Sequence, residues 1–363
     1  MVTEPVTETE ILANAPVTSA RKRQPVFSMQ WHLTTACLNQ CKHCYMQRNN
    51  LIMPLEEWKK IVDDLKSLIE KWNCRGRILF TGGDPFLYPN FFELLSYARK
   101  TIPDLIIGIL GNPELLDNEV IQKLIDNKLD TYQVSIDGLE KTHDYLRYGG
   151  SFRLTLETIK TLKKANIKTV VMTTVSTINL KEIPEIVDLM VENRVDLCGF
   201  HRLVPIGNGE KMKGDLISPN DYHRLLSTID EKYQSFKNCT TSFGKGEPLW
   251  MLLQFEKGLM PKPKKEYTNL VWGGCNLGCS EIDILEDGTA LACRRISIPI
   301  GKLPKQSIRD VFLFSAELNK MRQIDQIERC KDCKLLFYCR GCRAIAYATY
   351  GDYYKPDPQC WKI

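Results

Sequence analysis

No apolar run in this chain of 363 residues reaches the roughly 18–20 that would span a bilayer, so a membrane-crossing helix is excluded. The start, Met1 to Gln24, is polar, and it lacks the apolar core that a secretory signal needs. It is acidic at first and ends in the basic cluster Arg21-Lys22-Arg23. We read residues 1–25 as a flexible N-terminal arm, its basic cluster as a solvated patch, and expect a cytoplasmic protein with no membrane partner. Dense Lys/Arg stripes are also missing. A net charge of +5 is mild over this length, which speaks against nucleic-acid binding and allows an acidic protein partner. Histidine is scarce: there are five, dispersed along the chain. Internal repeats and low-complexity tracts are absent. The 43% apolar and 26% charged fractions are those of an ordinary globular protein, long enough for one large domain and a smaller one.

What the chain does have is cysteine, fourteen in all. In a reducing compartment clustered thiols suggest metal ligands before disulfides. Three lie at Cys37, Cys41 and Cys44, and eight lie between Cys275 and Cys360. Cys74, Cys198 and Cys239 stand alone and read as ordinary small side chains.

From residue 26 to 235 short β-rich runs alternate with longer helical ones. Strands are expected at Val26–Leu33, Arg77–Thr81, Leu105–Leu110, Thr131–Ile136, Thr169–Val175 and Leu197–Val204. Trp58, Ile61, Val62, Leu65 and Ile69 recur at helical spacing. Further helices are expected at Phe91–Arg99, Glu119–Ile125, Leu154–Ala165, Ile183–Glu192 and Asn220–Tyr233, with Pro54, Pro184 and Pro219 placed where a first turn tolerates proline. Six β-then-α units imply parallel strands and right-handed crossovers, hence an α/β fold. Six units are too few for a closed eight-fold barrel, which leaves an open partial (β/α)6 barrel or a doubly wound sheet. In either, ligands gather at the carboxyl ends of the strands. Residues 236–270 read as a connector with prolines and the basic run Lys262–Lys265. Residues 271–363 read as a second, cysteine-rich domain that has few long periodic segments and would be stabilised largely by metal.

Cys37-x3-Cys41-x2-Cys44 follows the first strand directly. Three thiolates on one loop can hold three irons of a 4Fe–4S cube and leave the fourth open. A zinc site, with His43 as fourth ligand, is the competing reading. After the second strand comes Gly82-Gly83-Asp84-Pro85. Glycines there bare backbone carbonyls towards an ammonium, and the acid faces that charge. Together these motifs resemble those of the radical S-adenosylmethionine superfamily. The resemblance implies that the open iron chelates S-adenosylmethionine and that its reductive cleavage yields a 5′-deoxyadenosyl radical. It also implies an aromatic, Tyr45, beside the adenine. Ser135, Asp137 and Arg147, at the end of the fourth strand and just beyond, resemble family positions that contact the ribose or the methionyl carboxylate. Arg147 suits a carboxylate because guanidinium binds it in a fork. Leu203 would extend the adenine site. Asn112 carries over weakly, because Gly111-Asn112-Pro113 departs from the Thr-Asn-Gly of relatives. His32 and His201, near strand ends, either line the cavity or are structural.

The C-terminal pattern is Cys275, Cys279, Gly288-x4-Cys293, then Cys330-x2-Cys333-x5-Cys339-x2-Cys342, and Cys360. Two zinc-ribbon sites would use the same residue types. The pattern resembles the SPASM extension of radical enzymes that mature peptides, with a spacing of two where the family has three between Cys339 and Cys342. The resemblance implies a first auxiliary 4Fe–4S cluster on Cys275, Cys279, Cys293 and Cys342, and a second on Cys330, Cys333, Cys339 and Cys360. With the cluster at Cys37–Cys44, that makes three.

This resemblance makes the first expectation a maturase that abstracts hydrogen from a ribosomally made precursor peptide and installs a cross-link or oxidation. The short N-terminal arm has no room for a leader-binding winged helix, so a separate leader-peptide chaperone would serve. A ferredoxin or flavodoxin would donate electrons. The alternative is a radical enzyme acting on a tetrapyrrole in haem d1 or alternative haem synthesis, because Cys342-Arg343-Ala344 and Asp357-Pro358-x-Cys360 resemble haem-pathway members too. A cluster carrier without catalysis explains the C-terminal cysteines but not the open-iron motif.

Overall fold

The computed structural model describes residues 24–236, 238–260 and 271–362. The greater part of the N-terminal arm, with Arg21-Lys22-Arg23, and the run Lys262–Lys265 lie outside the described residues.

Six strands carry the architecture: β1 (Val26–His32), β2 (Arg75–Thr81), β3 (Ile106–Leu110), β4 (Thr131–Ser135), β5 (Lys168–Val175) and β6 (Leu197–Arg202). They lie side by side in chain order and all are parallel. A doubly wound sheet would reverse its order near the middle. No reversal occurs, so the partial barrel is the fold. Between the strands run α1 (Leu55–Trp72), α2 (Phe91–Thr101), α3 (Asn118–Asp126), α4 (Glu140–Leu146), α5 (Ser151–Lys164) and α6 (Ile183–Glu192). After β6 come α7 (Pro219–Ser235), a two-residue strand β7 (Ser242–Phe243) and α8 (Trp250–Glu256). The expected connector thus holds a strand and a helix, and Trp250 is among the fully buried side chains.

The apolar period of α1 explains both the helix and its docking. Trp58, Ile61, Val62, Leu65, Leu68, Ile69 and Trp72 share one buried face, and the left-handed Asn73 ends the helix by donating its N–H to Glu70 O. Trp31 of β1 stacks on Trp58 at 4.8 Å between ring centroids.

The sheet does not stop at β1. A strand from the cysteine-rich region, β8 (Glu281–Ile284), pairs parallel with β1, and β9 (Thr289–Leu291) and β10 (Pro299–Lys302) continue it antiparallel. The helices α9 (Ile308–Phe314), α10 (Ala316–Met321) and α11 (Arg343–Tyr350) follow. Phe312 of α9 meets Phe27 of β1 edge-on at 5.1 Å, and Asp64 of α1 accepts the Ile308 N–H at 2.6 Å. The cysteine-rich region therefore shares the barrel's apolar core, where the sequence had suggested metal as its chief support.

Strand alternation then separates two faces. Phe27, Met29 and Trp31 enter the apolar core, and Ser28, Gln30 and His32 point to the other side. Register sets Ser28 beside Arg77 and Glu281, and Gln30 beside Leu79 and Asp283. The barrel interior is accordingly polar.

Candidate active site

Cys37, Cys41 and Cys44 lie on the loop leaving β1, and the end of β2 crosses that loop at close range. Gly83 N–H donates to Thr34 O and Asp84 N–H to Ala36 O, both at 2.7 Å. A Cβ on Gly82 would fall 2.2 Å from Thr34 O, and one on Gly83 would fall 2.1 Å from Ala36 O. Both glycines are thus required by backbone contact with the cysteine loop, beyond any carbonyl they present to a ligand. From the opposite side Asn208 clasps the loop, its N–H on Cys44 O at 2.8 Å and its amide on Cys41 O at 3.3 Å.

The loop opens on a cavity of 1040 Å³ at the carboxyl ends of the strands. Its walls include all three thiols of the loop, Gly82, Gly83, Ser135 and Arg147. They also include Cys275, Cys293 and Cys342 from the C-terminal region. One space therefore joins the first cysteine group to part of the second.

Several residues singled out from sequence take other places. Asp84 caps the 310 turn that begins at Pro85: it accepts from Phe86 N at 3.0 Å and from Asn112 Nδ2 at 3.2 Å. Burial pushes its carboxyl up against those bonds. Asn112 also approaches Cys37 Sγ at 3.7 Å, so this weakly supported residue does stand at the site. Asp137 is wholly buried behind the cavity wall. Its Oδ2 takes Arg147 Nε at 2.6 Å and His43 Nε2 at 3.3 Å, and its Oδ1 takes Thr174 N at 2.7 Å. Burial would raise this carboxyl, but Arg147 and His43 outweigh it and hold the group well below the usual carboxylate range. Asp137 thus orients Arg147, whose Nη1 lies 3.9 Å from Cys41 Sγ. Leu203 is buried in a side cluster with Leu146 and Met212, and its neighbours Arg202 and Val204 line the cavity instead. Tyr45 faces the C-terminal wall, with the guanidinium carbons of Arg294 and Arg295 at 5.5 and 5.9 Å from its ring centre.

Gln30, Arg77, Glu281, Asp283 and Arg294, which sequence reading passed over, face the cavity, and so does His201, which it had offered as either cavity-lining or structural. Burial and Arg295 hold His201 at about 3, so its imidazole is neutral. Burial, and Glu281 beside it, push the Asp283 carboxyl well above the usual carboxylate range. His32 is bonded within the sheet to Gln30 Nε2 at 3.0 Å.

The eight C-terminal thiols fall into two neighbourhoods. Cys275 opposes ionisation of Cys279 and of Cys342, and Cys342 opposes that of Cys293. Cys360 opposes ionisation of Cys330 and Cys339, and Cys333 that of Cys360 and Cys330. Burial drives the thiols up as well, Cys41 and Cys342 to about 11 and Cys339 to about 12. Such crowded, buried thiols become thiolates readily only beside a cation, and bound iron supplies one. Among the described residues no three His, Cys, Asp or Glu side chains close around a single metal ion. Cys74 and Cys198 are buried apart from these groups.

A parallel partial barrel with a three-thiol loop at the end of its first strand, open to a shared polar cavity, defines an enzyme that works through a metal cluster. Residues 31–190 match the radical SAM superfamily, so that stretch of the chain carries a radical SAM domain. It is 29% identical to an AdoMet-dependent heme synthase of Methanosarcina barkeri, over 91% of this chain and 95% of that one. It is 27% identical to an Fe-coproporphyrin III synthase of the same organism, over 94% and 89%. Its fold is similar to SuiB of Streptococcus suis bound to S-adenosylmethionine, with a TM-score of 0.73 at 19% identity over 92% of this chain and 77% of that one.

Proposed function

We propose that this protein is a radical SAM enzyme that modifies a carboxylate-bearing tetrapyrrole on a route to haem, the alternative named from sequence and not the peptide expectation placed first. The observation that carries the reading is the cavity. It is large, it runs from the Cys37–Cys44 loop to Cys275, Cys293 and Cys342, and it presents Arg77, Arg147, Arg294 and Arg295. A polyanionic substrate suits such a wall. Likeness to haem-pathway relatives along nearly the whole chain supports the same choice.

In this reading Cys37, Cys41 and Cys44 hold the cluster that binds S-adenosylmethionine. Cys275, Cys279, Cys293 and Cys342 hold one auxiliary cluster, and Cys330, Cys333, Cys339 and Cys360 the other. The neighbourhoods of the thiols fit both sets. When bound, the first cluster and S-adenosylmethionine supply a radical able to remove hydrogen from an unactivated carbon. The chain's own part is placement. Gly82 and Gly83 let β2 close over the cysteine loop, Arg147 receives the methionyl carboxylate, and Asp137 keeps that guanidinium in position. Ser135 and Tyr45 line the same space. The neutral imidazole of His201 adds no charge to the wall.

The test is anaerobic turnover of the reconstituted protein with S-adenosylmethionine, a low-potential reductant and iron coproporphyrin III. Formation of 5′-deoxyadenosine together with a tetrapyrrole of lower mass is expected. If the tetrapyrrole neither binds nor changes, while a precursor peptide encoded nearby is modified, the peptide reading replaces this one.

A further inference from the structure

We propose that Arg294, with Arg295 beside it, grips a carboxylate of the substrate. The assignment rests on the tetrapyrrole reading and adds to it the residues that select an acidic side chain. Both arginines follow Cys293 and enter the cavity from the turn after β9. Their guanidinium groups stand over the ring of Tyr45, the residue next to Cys44.

Arg294 is an incomplete donor. Its Nη2 touches the sulfur of Met46 at 3.1 Å, a weak acceptor, and its buried Nε has no hydrogen-bond partner among the described residues. A guanidinium left this way in a protein wall is costly unless something arrives to accept from it. Three other arginines of the cavity wall are provided for, whereas Arg343 donates from Nη1 to Tyr353 O and Lys355 O and also leaves its Nε and Nη2 without a partner among the described residues. Arg147 has Asp137, Arg77 Nε has Ser28 Oγ at 2.9 Å, and Arg202 has Glu247, Asp357 and Gln359. Asp283 does not fill the gap, because its Oδ2 accepts the backbone N–H of Arg294 and forms no ion pair with the side chain.

The position also separates this group from Arg147. In the sheet β9 lies two strands to one side of β1, and β4 lies three strands to the other. The two arginines thus follow strands on opposite sides of β1, whose end carries the cysteine loop. Arg295 faces Cys293 and Cys342 as well, so it is shared with the thiols there, and the sharper test falls on Arg294. A planar fork aimed into a cavity takes a carboxylate through two parallel bonds. A tetrapyrrole carries such groups on its rim.

The experiment titrates iron coproporphyrin III and its tetramethyl ester into reconstituted wild-type, R294Q and R294K protein, following the Soret band. R294Q should bind the acid about tenfold to a hundredfold more weakly, the size of one lost charge-assisted bond. R294K should recover part of that loss. Wild type and R294Q should bind the ester alike, because the ester offers no charge to grip. The proposal is overturned if R294Q holds the acid as tightly as wild type, or if it loses the ester equally, which would mean lost packing. If R294Q loses iron or fold, the acid-to-ester affinity ratio of R294K decides. An ammonium cannot form both parallel bonds, so that ratio should drop, and an unchanged ratio overturns the grip. Wild type that binds neither compound removes the tetrapyrrole reading, and the grip goes with it.

Discussion

Arg202 at the end of β6 and Asp357 near the C-terminus form a bidentate fork, Nη1 to Oδ1 at 2.8 Å and Nη2 to Oδ2 at 2.7 Å, with both residues buried. Glu247 and Gln359 accept from the same guanidinium, which also lies 4.9 Å from the Tyr222 ring centre. Asp357 in turn accepts the N–H of Cys342 at 2.7 Å. One buried cation thus ties the barrel, the segment after β7 and the C-terminal cysteines. Arg202→Met should leave two buried carboxylates without their partner and destabilise the fold by about 3–5 kcal/mol. Chemical denaturation of the iron-free protein measures this. A loss under 1 kcal/mol, as of an exposed pair, would show that the network is dispensable.

Asp137 acts through Arg147. Asp137→Asn keeps the shape but removes the charge that holds the guanidinium beside Cys41. Affinity for S-adenosylmethionine should fall about tenfold, and Arg147→Met should cause at least as great a loss. The double variant should bind no worse than Arg147→Met alone, because residues that work as one unit are not additive. Fully additive losses in equilibrium binding would mean that Asp137 contributes by another route.

Much of the barrel was legible because its signal is local. The helix expected at Ile183–Glu192 is found with those bounds, since an apolar period and Pro184 suffice to mark it. The pairing of β8 with β1 was not legible, because some 250 residues separate the partners and nothing local records parallel contact. At the site, cysteine spacing was readable, while the grouping of the C-terminal thiols into two sets was taken from the resemblance. Asp84 and Asp137 were read as ligand contacts from motif position alone. Asp84 caps its turn through Phe86, two residues on, and Asp137 braces Arg147, ten residues on, while Asn112 and Thr174, which bond them as well, lie far away in the chain. Arg294 carries no motif at all, and only the cavity brings it into view.

Asp230 on α7 gives a pH-dependent contribution to stability. Burial would raise its carboxyl, but Lys245 at 2.6 Å and Lys257 at 2.7 Å outweigh that and hold it below its ordinary value of 3.8. The sign follows from linkage: a depressed carboxyl stabilises the fold above its unfolded pKa, and the benefit is lost as pH falls through the folded value. Asp230→Asn should therefore cost about 1–2 kcal/mol at neutral pH, a modest figure because both lysines are part-exposed. The gap between wild type and variant should close as the pH drops below 3.8. Denaturation curves at several pH values on iron-free protein would reveal a constant gap if the ion pairs were irrelevant.

The last prediction separates the three cysteine groups. Four irons on each imply roughly twelve iron and twelve sulfide per chain after anaerobic reconstitution. Replacing Cys37, Cys41 and Cys44 with Ala should remove about a third of the iron and all cleavage of S-adenosylmethionine. The C-terminal region should stay folded in that variant, since α9 packs on β1 and α1 without help from those thiols. Replacing Cys330 and Cys333 should instead spare some uncoupled cleavage while modification of the tetrapyrrole disappears. Their set lies outside the cavity wall that Cys275, Cys293 and Cys342 help to form. Loss of metal can unfold a region that depends on it, so circular dichroism and iron content must be read with each assay. Roughly four iron with two zinc per chain would mean that the C-terminal sets are zinc sites. Full product from a folded Cys330/Cys333 variant would reduce the second set to a structural staple.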